Sequence, residues 1–549
     1  MPTRPMLARL LGLAFLASAC SSTPPLDPGV TRESAAVRPW EHESSDLPID
    51  PRFHFGHFEN GLRWVWARNS EPKHRSYLRL HVDVGSLAEE DSERGMAHFL
   101  EHMAFNGSQH FAADTLVEWF QRHGMAFGAD LNAHTAFGET VYALDLPNSD
   151  AALLEEGLLV LRDFAFGLSL APEEIEKEKG VIDGEERERD SPGYRVFVRQ
   201  LQSVLGETRL DDRVPIGVKE ARARFTSESV RAFYARWYRP EHMTLVLVGD
   251  LGELDPVPLF AEHFGAVPRP AAPLAHEPEP GVVTDFSHRL CFHEPEIPSV
   301  SIYLQKLRPW VDEPYTSERW RVETPLEFAR DMLDLRFEEL VKEAGAPFLS
   351  ASVGSAEALD VLDGEELEID CAPEKWKEAL AVCEQELRRA LEHGFQPAEL
   401  AEVRANALRG LREAVEREST QNSTSLVGAV LSAAENRFVP TSAATRRTLL
   451  EPVYQALSVE DCHAAWSRPG ARASSRPGPS ASSTWAARPR ECSTKPWPPA
   501  ARSRSRRAPR SPRANSPTCP RRMASRSSPR PRSRESRTSS SRPRASRTA

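Results

Sequence analysis

Residues 95–107 read GMAHFLEHMAFNG, and His98, Glu101 and His102 fall inside one five-residue stretch of it. On a helix, His98 and His102 stand four apart and share a face. Both imidazoles can then reach one Zn2+, whose nitrogen ligands lie about 2.0–2.1 Å away. Glu101 lies on the same side; it is not needed as a ligand and can act on a water at the metal. The order HxxEH inverts the HExxH pattern. The same residues also suit a surface helix that merely carries two histidines. Their neighbours Met96, Ala97, Phe99, Leu100, Met103, Ala104 and Phe105 are apolar. That points to a buried helix, where His and Glu need partners that a metal would supply.

A catalytic zinc takes three protein ligands and keeps one position open. The best source of the third is APEEIEKEKGVIDGEERERD (171–190), a charged helix opened by Pro172. Glu178 and Glu185 sit two turns apart on one face of it. By spacing alone either qualifies, and both also read as solvated glutamates.

The elements that must hold these groups follow from hydrophobic period. LRWVWARN (62–69), SYLRLHVDVG (76–85), LNAHT (131–135) and ETVYALDL (139–146) read as strands. DTLVEWFQRHG (114–124) and DAALLEEGLLVLRDFAFG (150–167) read as helices, and MTLVLVGDL (243–251) as a buried strand closing a first domain, 48–267. A Pro-rich linker, 268–285, leads to a second domain, 286–466. There SVSIYLQ (299–305) reads as a strand and 375–395 with 396–418 as a helix pair that echoes the first domain. Aligning Pro172 with Pro397 puts Glu174 on Glu399 and Ile175 on Leu400, which indicates a duplicated α+β unit. The second copy has no HxxEH; Val403 stands at the place of Glu178 and Gly410 at that of Glu185.

The chain of 549 residues has a formal net charge of −11, and this average hides two compositions. Residues 467–549 carry 22 Lys and Arg against 2 Asp and Glu, with almost no aliphatic side chains. Such a tail is expected to be disordered, because it cannot bury a core. A basic tail can signal nucleic-acid binding, but the switch is abrupt and falls after HAAWSRPG, inside what reads as a domain. Out-of-frame reading of a GC-rich gene explains it better, and no nucleic-acid partner is expected. At the other end, Arg4 and Arg9 flank a basic leading segment, followed by LLGLAFLASA (10–19), an apolar run too short to span a bilayer as a mature helix and ending at Cys20. Residues 1–19 are read as a signal peptide of lipoprotein type, with lipid on Cys20 and a Pro/Ser/Glu-rich tether over 20–47; Ala17 stands where such signals usually carry Leu. The expected location is the cell envelope, in the periplasm or at the outer membrane. Of the seven cysteines, none lies between 21 and 290, and none has zinc-ribbon spacing. Cys371 and Cys383 read equally as core residues or as a pair.

GMAHFLEHMAFNG, FGADLNAHTAFGETVY, EEIEKEKGVIDGEER, VPIG (214–217) and WYRPEHMTLVLVGDL occur in the order found in the pitrilysin/insulinase zinc endopeptidases, the inverted zincins. The resemblance covers roughly 50–466 and is to the first half of the long bacterial zinc proteases. It implies an α+β fold of two α/β-roll domains, as in pitrilysin and the mitochondrial processing peptidase, the second domain inactive. It implies Zn2+ on His98, His102 and, through VIDGE, Glu185, with Glu101 as general base and Glu178 orienting the ligands. It implies that a peptide substrate adds as a strand along Asn132 and Ala133; His134 stands where an aromatic is common. Family members enclose substrate between two halves, so the resemblance also implies a partner, either a second half or a homodimer mate, without which activity is expected to be weak.

Overall fold

Alternating and continuous apolar runs become strands where a helix can cover them, and the first domain is built this way. β1 (Phe53–His57), β2 (Arg63–Arg68), β3 (Ser76–Val82), β4 (Leu131–Thr135), β5 (Thr140–Leu146) and β6 (Met243–Gly249) form one sheet in the order β1-β2-β6-β3-β5-β4. In this computed structural model the described residues are 38–468, except 114, 127, 273–274, 276–278, 287–288 and 436–437. Residues 1–19, read above as a signal peptide, Cys20 and the residues from 469 onward lie outside them.

All strand pairs are antiparallel except β2 and β6, which run parallel with Arg63 opposite Thr244. β6 therefore inserts into the middle of the sheet and does not flank it. Every one of its seven residues is buried, which explains its unbroken apolar run. The helices of this domain are α1 (Met96–Met103), α2 (Thr115–Arg122), α3 (Ala151–Phe166), α4 (Pro172–Arg189), α5 (Pro192–Leu205), α6 (Lys219–Arg222), α7 (Ser227–Trp237) and α8 (Val257–Phe260). Leu78, Leu80 and Val82 of β3 join Phe99, Leu100 and Met103 of α1 and Leu154, Leu158 and Leu161 of α3 in the main core.

The second domain has β7 (Val300–Pro309), β8 (Ser350–Ser355) and β9 (Leu362–Cys371) in the antiparallel order β7-β9-β8. With them come α9 (Ser317–Val341), α10 (Trp376–His393), α11 (Pro397–Arg417), α12 (Ser423–Ala434), α13 (Ala443–Ala456) and α14 (Val459–Ser467). Pro172 and Pro397 open α4 and α11 in the same way, while the sheets differ in strand number among the described residues. Val403 packs into the second core with Phe337, Ile369 and Leu387. Cys371 and Cys383 are buried free thiols in that core, so the pairing left open by sequence is not formed.

α12 leaves its own domain and lies on β3 and β6 of the first. Its Leu426, Val427, Val430 and Ala434 meet Val65, Ala67, Tyr77, Val246 and Val248, on the sheet face away from α1. Two boundary expectations need correction here. The stretch 20–47, read as a tether, ends in structure: Trp40 is 4% and Leu47 3% exposed. Trp40 joins the α12 contact, with the Arg63 guanidinium 4.3 Å from its ring centre. A single large side chain in a Pro/Ser/Glu context leaves no period to read. Within 268–285, Val283 is likewise buried, against Leu201 and Leu205.

Candidate metal centre

α1 begins at a tight backbone crossing. Gly95 precedes it with φ +95°, and Gly217, at the end of VPIG, has φ +67°. A Cβ on Gly217 would lie 2.3 Å from the Gly95 Cα, so both positions need glycine. With no side chain at Gly95 to cap the helix, Glu89 does so. Its carboxyl accepts from the Gly95 and Ala97 backbone N–H groups, each at 2.8 Å. Burial pushes Glu89 up to about 8. Arg209 and Arg213 donate to the Glu89 carbonyl, at 2.7 and 3.2 Å.

On α1, His98 and His102 face each other edge to face with ring centres 4.6 Å apart. α4 packs against α1 and brings Glu185 to both. Glu185 Oε2 lies 3.5 Å from His98 Nε2 and 3.3 Å from His102 Nε2. It is buried and has hydrogen-bond geometry to neither. Its other oxygen is taken by Arg189 at 2.5 Å. Ligand atoms of His98, His102 and Glu185 all lie within 4.8 Å of one another. Three atoms converging on one point without bonding each other fit a cation between them.

Glu178 sits behind His102. Its Oε1 is 2.7 Å from His102 Nδ1 and its Oε2 accepts from the Asn106 side chain at 2.7 Å, a geometry that orients an imidazole. Burial opposes charge on His102, but Glu178 at its Nδ1 and the Glu185 carboxylate facing its Nε2 outweigh it and raise it to about 9. Burial and the adjacent His102 press His98 down to about 3. Glu101 is buried beside them and accepts from the Thr135 hydroxyl of β4 at 2.7 Å; burial raises its pKa and the Thr135 bond moderates the rise.

β4 has β5 on one side and is the sheet's edge on the other. Asn132 is exposed there, Ala133 is half-buried, and the Ala133 N–H donates to the Asn132 side chain at 2.9 Å. His134 turns toward Glu139 on the opposite face, at 3.6 Å. Glu89, Thr135 and Arg189 went unread in the sequence. For Glu89 a weak signal existed, an acidic GSLAEE just ahead of a helix N-terminus.

Two family models match the chain: Insulinase (Peptidase family M16) over residues 64–204 and Peptidase M16 inactive domain over 224–407. The chain belongs to peptidase family M16. Its M16 region is 26% identical over 428 residues to a probable zinc protease PqqL of Escherichia coli, covering 76% of this chain and 45% of that protein. It is 35% identical over 213 residues to the chloroplastic stromal processing peptidase of Pisum sativum, covering 38% and 16%. The solved first half of the periplasmic protease PqqL from Escherichia coli superposes with a TM-score of 0.70 at 25% identity, over 76% of this chain and 90% of that one. The chain thus spans less than half the length of these full-length relatives, and its fold is the two-domain M16 fold.

Proposed function

We propose that this M16 chain is the metal-bearing half of a zinc-dependent endopeptidase that hydrolyses peptides or unfolded segments. The observation that carries it is Glu185 Oε2, buried and facing both imidazole Nε2 atoms at 3.3 and 3.5 Å with no hydrogen bond to hold it. His98, His102 and Glu185 would hold the ion. When bound, zinc supplies Lewis acidity that makes a water acidic and polarises a carbonyl. The protein does the rest. Glu101, raised in pKa by burial, takes the proton from the attacking water and gives it to the leaving amine. Thr135 fixes the Glu101 carboxylate. Glu178 holds the His102 ring so that its Nε2 faces Glu185 Oε2. The substrate adds along the open edge of β4, where its backbone competes for the Ala133 N–H that Asn132 now accepts.

The LASAC signal, with the printed description of the Escherichia coli relative as periplasmic, supports a cell-envelope location with lipid on Cys20. The wall opposing β4 comes, in this reading, from a second half of the relatives' length or from a second copy of the chain. The test is bound zinc and peptide cleavage in three variants. Glu185→Gln is expected to lose the metal, while Glu178→Gln weakens it about 10–100-fold and Glu101→Gln keeps it but abolishes cleavage of a flexible peptide. Metal loss in Glu178→Gln with retention in Glu185→Gln would reverse the ligand assignment, and wild-type cleavage by Glu101→Gln would end the mechanism.

A further inference from the structure

A second convergence of ligand-type atoms lies on the sheet face away from α1. Along β3 the side chains of Leu80 and Val82 enter the main core, so His81 between them points to the α12 side. His81 is fully buried. Its Nε2 is 2.8 Å from Glu139 Oε2, yet neither ring nitrogen makes a hydrogen bond, and Glu139 Oε2 makes none. Glu139 stands in the turn just before β5. The third member comes from the other domain: Glu435, the residue that ends α12. Ligand atoms of His81, Glu139 and Glu435 all fall within 4.8 Å of one another. His134 Nε2 stands beside them, 3.6 Å from Glu139 Oε1.

An ordinary ion pair does not account for this arrangement. Two carboxyl groups face one buried imidazole, and neither its ring nitrogens nor Glu139 Oε2 makes a hydrogen bond. A divalent cation would take the imidazole and a carboxylate oxygen from each acid at once.

We propose that His81, Glu139 and Glu435, joined by His134, form a second divalent-metal site that clips α12 of the second domain to the sheet of the first. Imidazole with carboxylate donors suits zinc and its neighbours in the first transition row, in preference to calcium or magnesium. The site shares no residue with His98, His102 and Glu185, so it stands or falls apart from the proposed peptidase activity.

The test uses the full chain carrying His98→Ala and His102→Ala, dialysed against zinc alone and titrated with Co2+ by visible absorption. One equivalent of zinc is expected to remain, with a nitrogen-ligated Co2+ spectrum, and zinc is expected to raise the melting temperature. Adding Glu435→Gln, or separately Glu139→Gln, is expected to weaken that binding tenfold or more and to remove the melting shift. Glu435 ends a helix and is only half-buried, so its amide variant folds where a change at His81 would not. No bound zinc in the His98/His102 variant would overturn the proposal. So would one equivalent that both glutamine variants keep unchanged.

Discussion

Glu89 is the residue on which the placement of α1 depends, and replacing it by alanine measures that dependence. Its carboxyl takes two backbone N–H groups, from Gly95 and Ala97, at 2.8 Å each. Glu89 itself is fully buried, so water cannot substitute. Each buried N–H left without a partner costs about 1–3 kcal/mol, so Glu89→Ala should lose about 2–6 kcal/mol, a large share of a typical 5–15 kcal/mol stability. Glu89→Gln keeps one acceptor but turns an NH2 toward the second N–H, and should lose about half as much. His98 is the third residue of α1, so movement of the helix start should also weaken zinc binding roughly tenfold or more. The assay is urea unfolding of zinc-stripped protein, with zinc affinity by competition against a chromophoric chelator. A pH arm adds a sign. Burial raises this carboxyl from 4.5 to about 8, so the folded state holds the proton more tightly than the unfolded. Its contribution is full below about pH 4.5 and is lost as pH rises through about 8, so wild type should lose ground to Glu89→Gln over that window. An alanine variant within about 0.5 kcal/mol of wild type, with unchanged zinc affinity, would refute the reasoning.

Gly217→Ala should cost about 1–3 kcal/mol or more by overpacking against backbone, since its Cβ would lie 2.3 Å from the Gly95 Cα; thermal melting with zinc measurement reads both effects, and an unchanged melt would contradict the tight crossing. Thr135→Val should keep zinc but slow peptide cleavage. Loss of the hydroxyl removes the bond that lowers the Glu101 pKa, so the acid limb of the pH–rate profile should move upward; an unmoved limb would mean Thr135 does not tune the base. Trp40→Ala removes a buried indole from the contact with α12 and should cost about 3–5 kcal/mol, read as lower denaturant midpoint, whereas a freely swinging tether would show no change.

What the sequence by itself determined was whatever depends on local spacing. His98, Glu101 and His102 are close in the chain, and one helical turn is enough to align them. The strands at β2 to β6 and the helices at α3, α4, α10 and α11 declare themselves by period and by Pro172 and Pro397 at helix starts. Spacing did not separate Glu178 from Glu185, because both lie on one face of α4. Only the packing of α4 on α1 gives one the imidazole Nδ1 and the other the two Nε2 atoms. Glu89 reaching Gly95 and Thr135 reaching Glu101 were illegible for the same reason: each joins segments whose order along the chain says nothing about distance. The central place of β6, parallel to β2, was decided by burial on both faces, since an apolar run alone fits a middle or a closing strand. Trp40 marks the extreme case. It has no local pattern, and it is buried only because α12 crosses from one domain onto the sheet of the other, where burying Leu426, Val427 and Val430 outweighs leaving them in water.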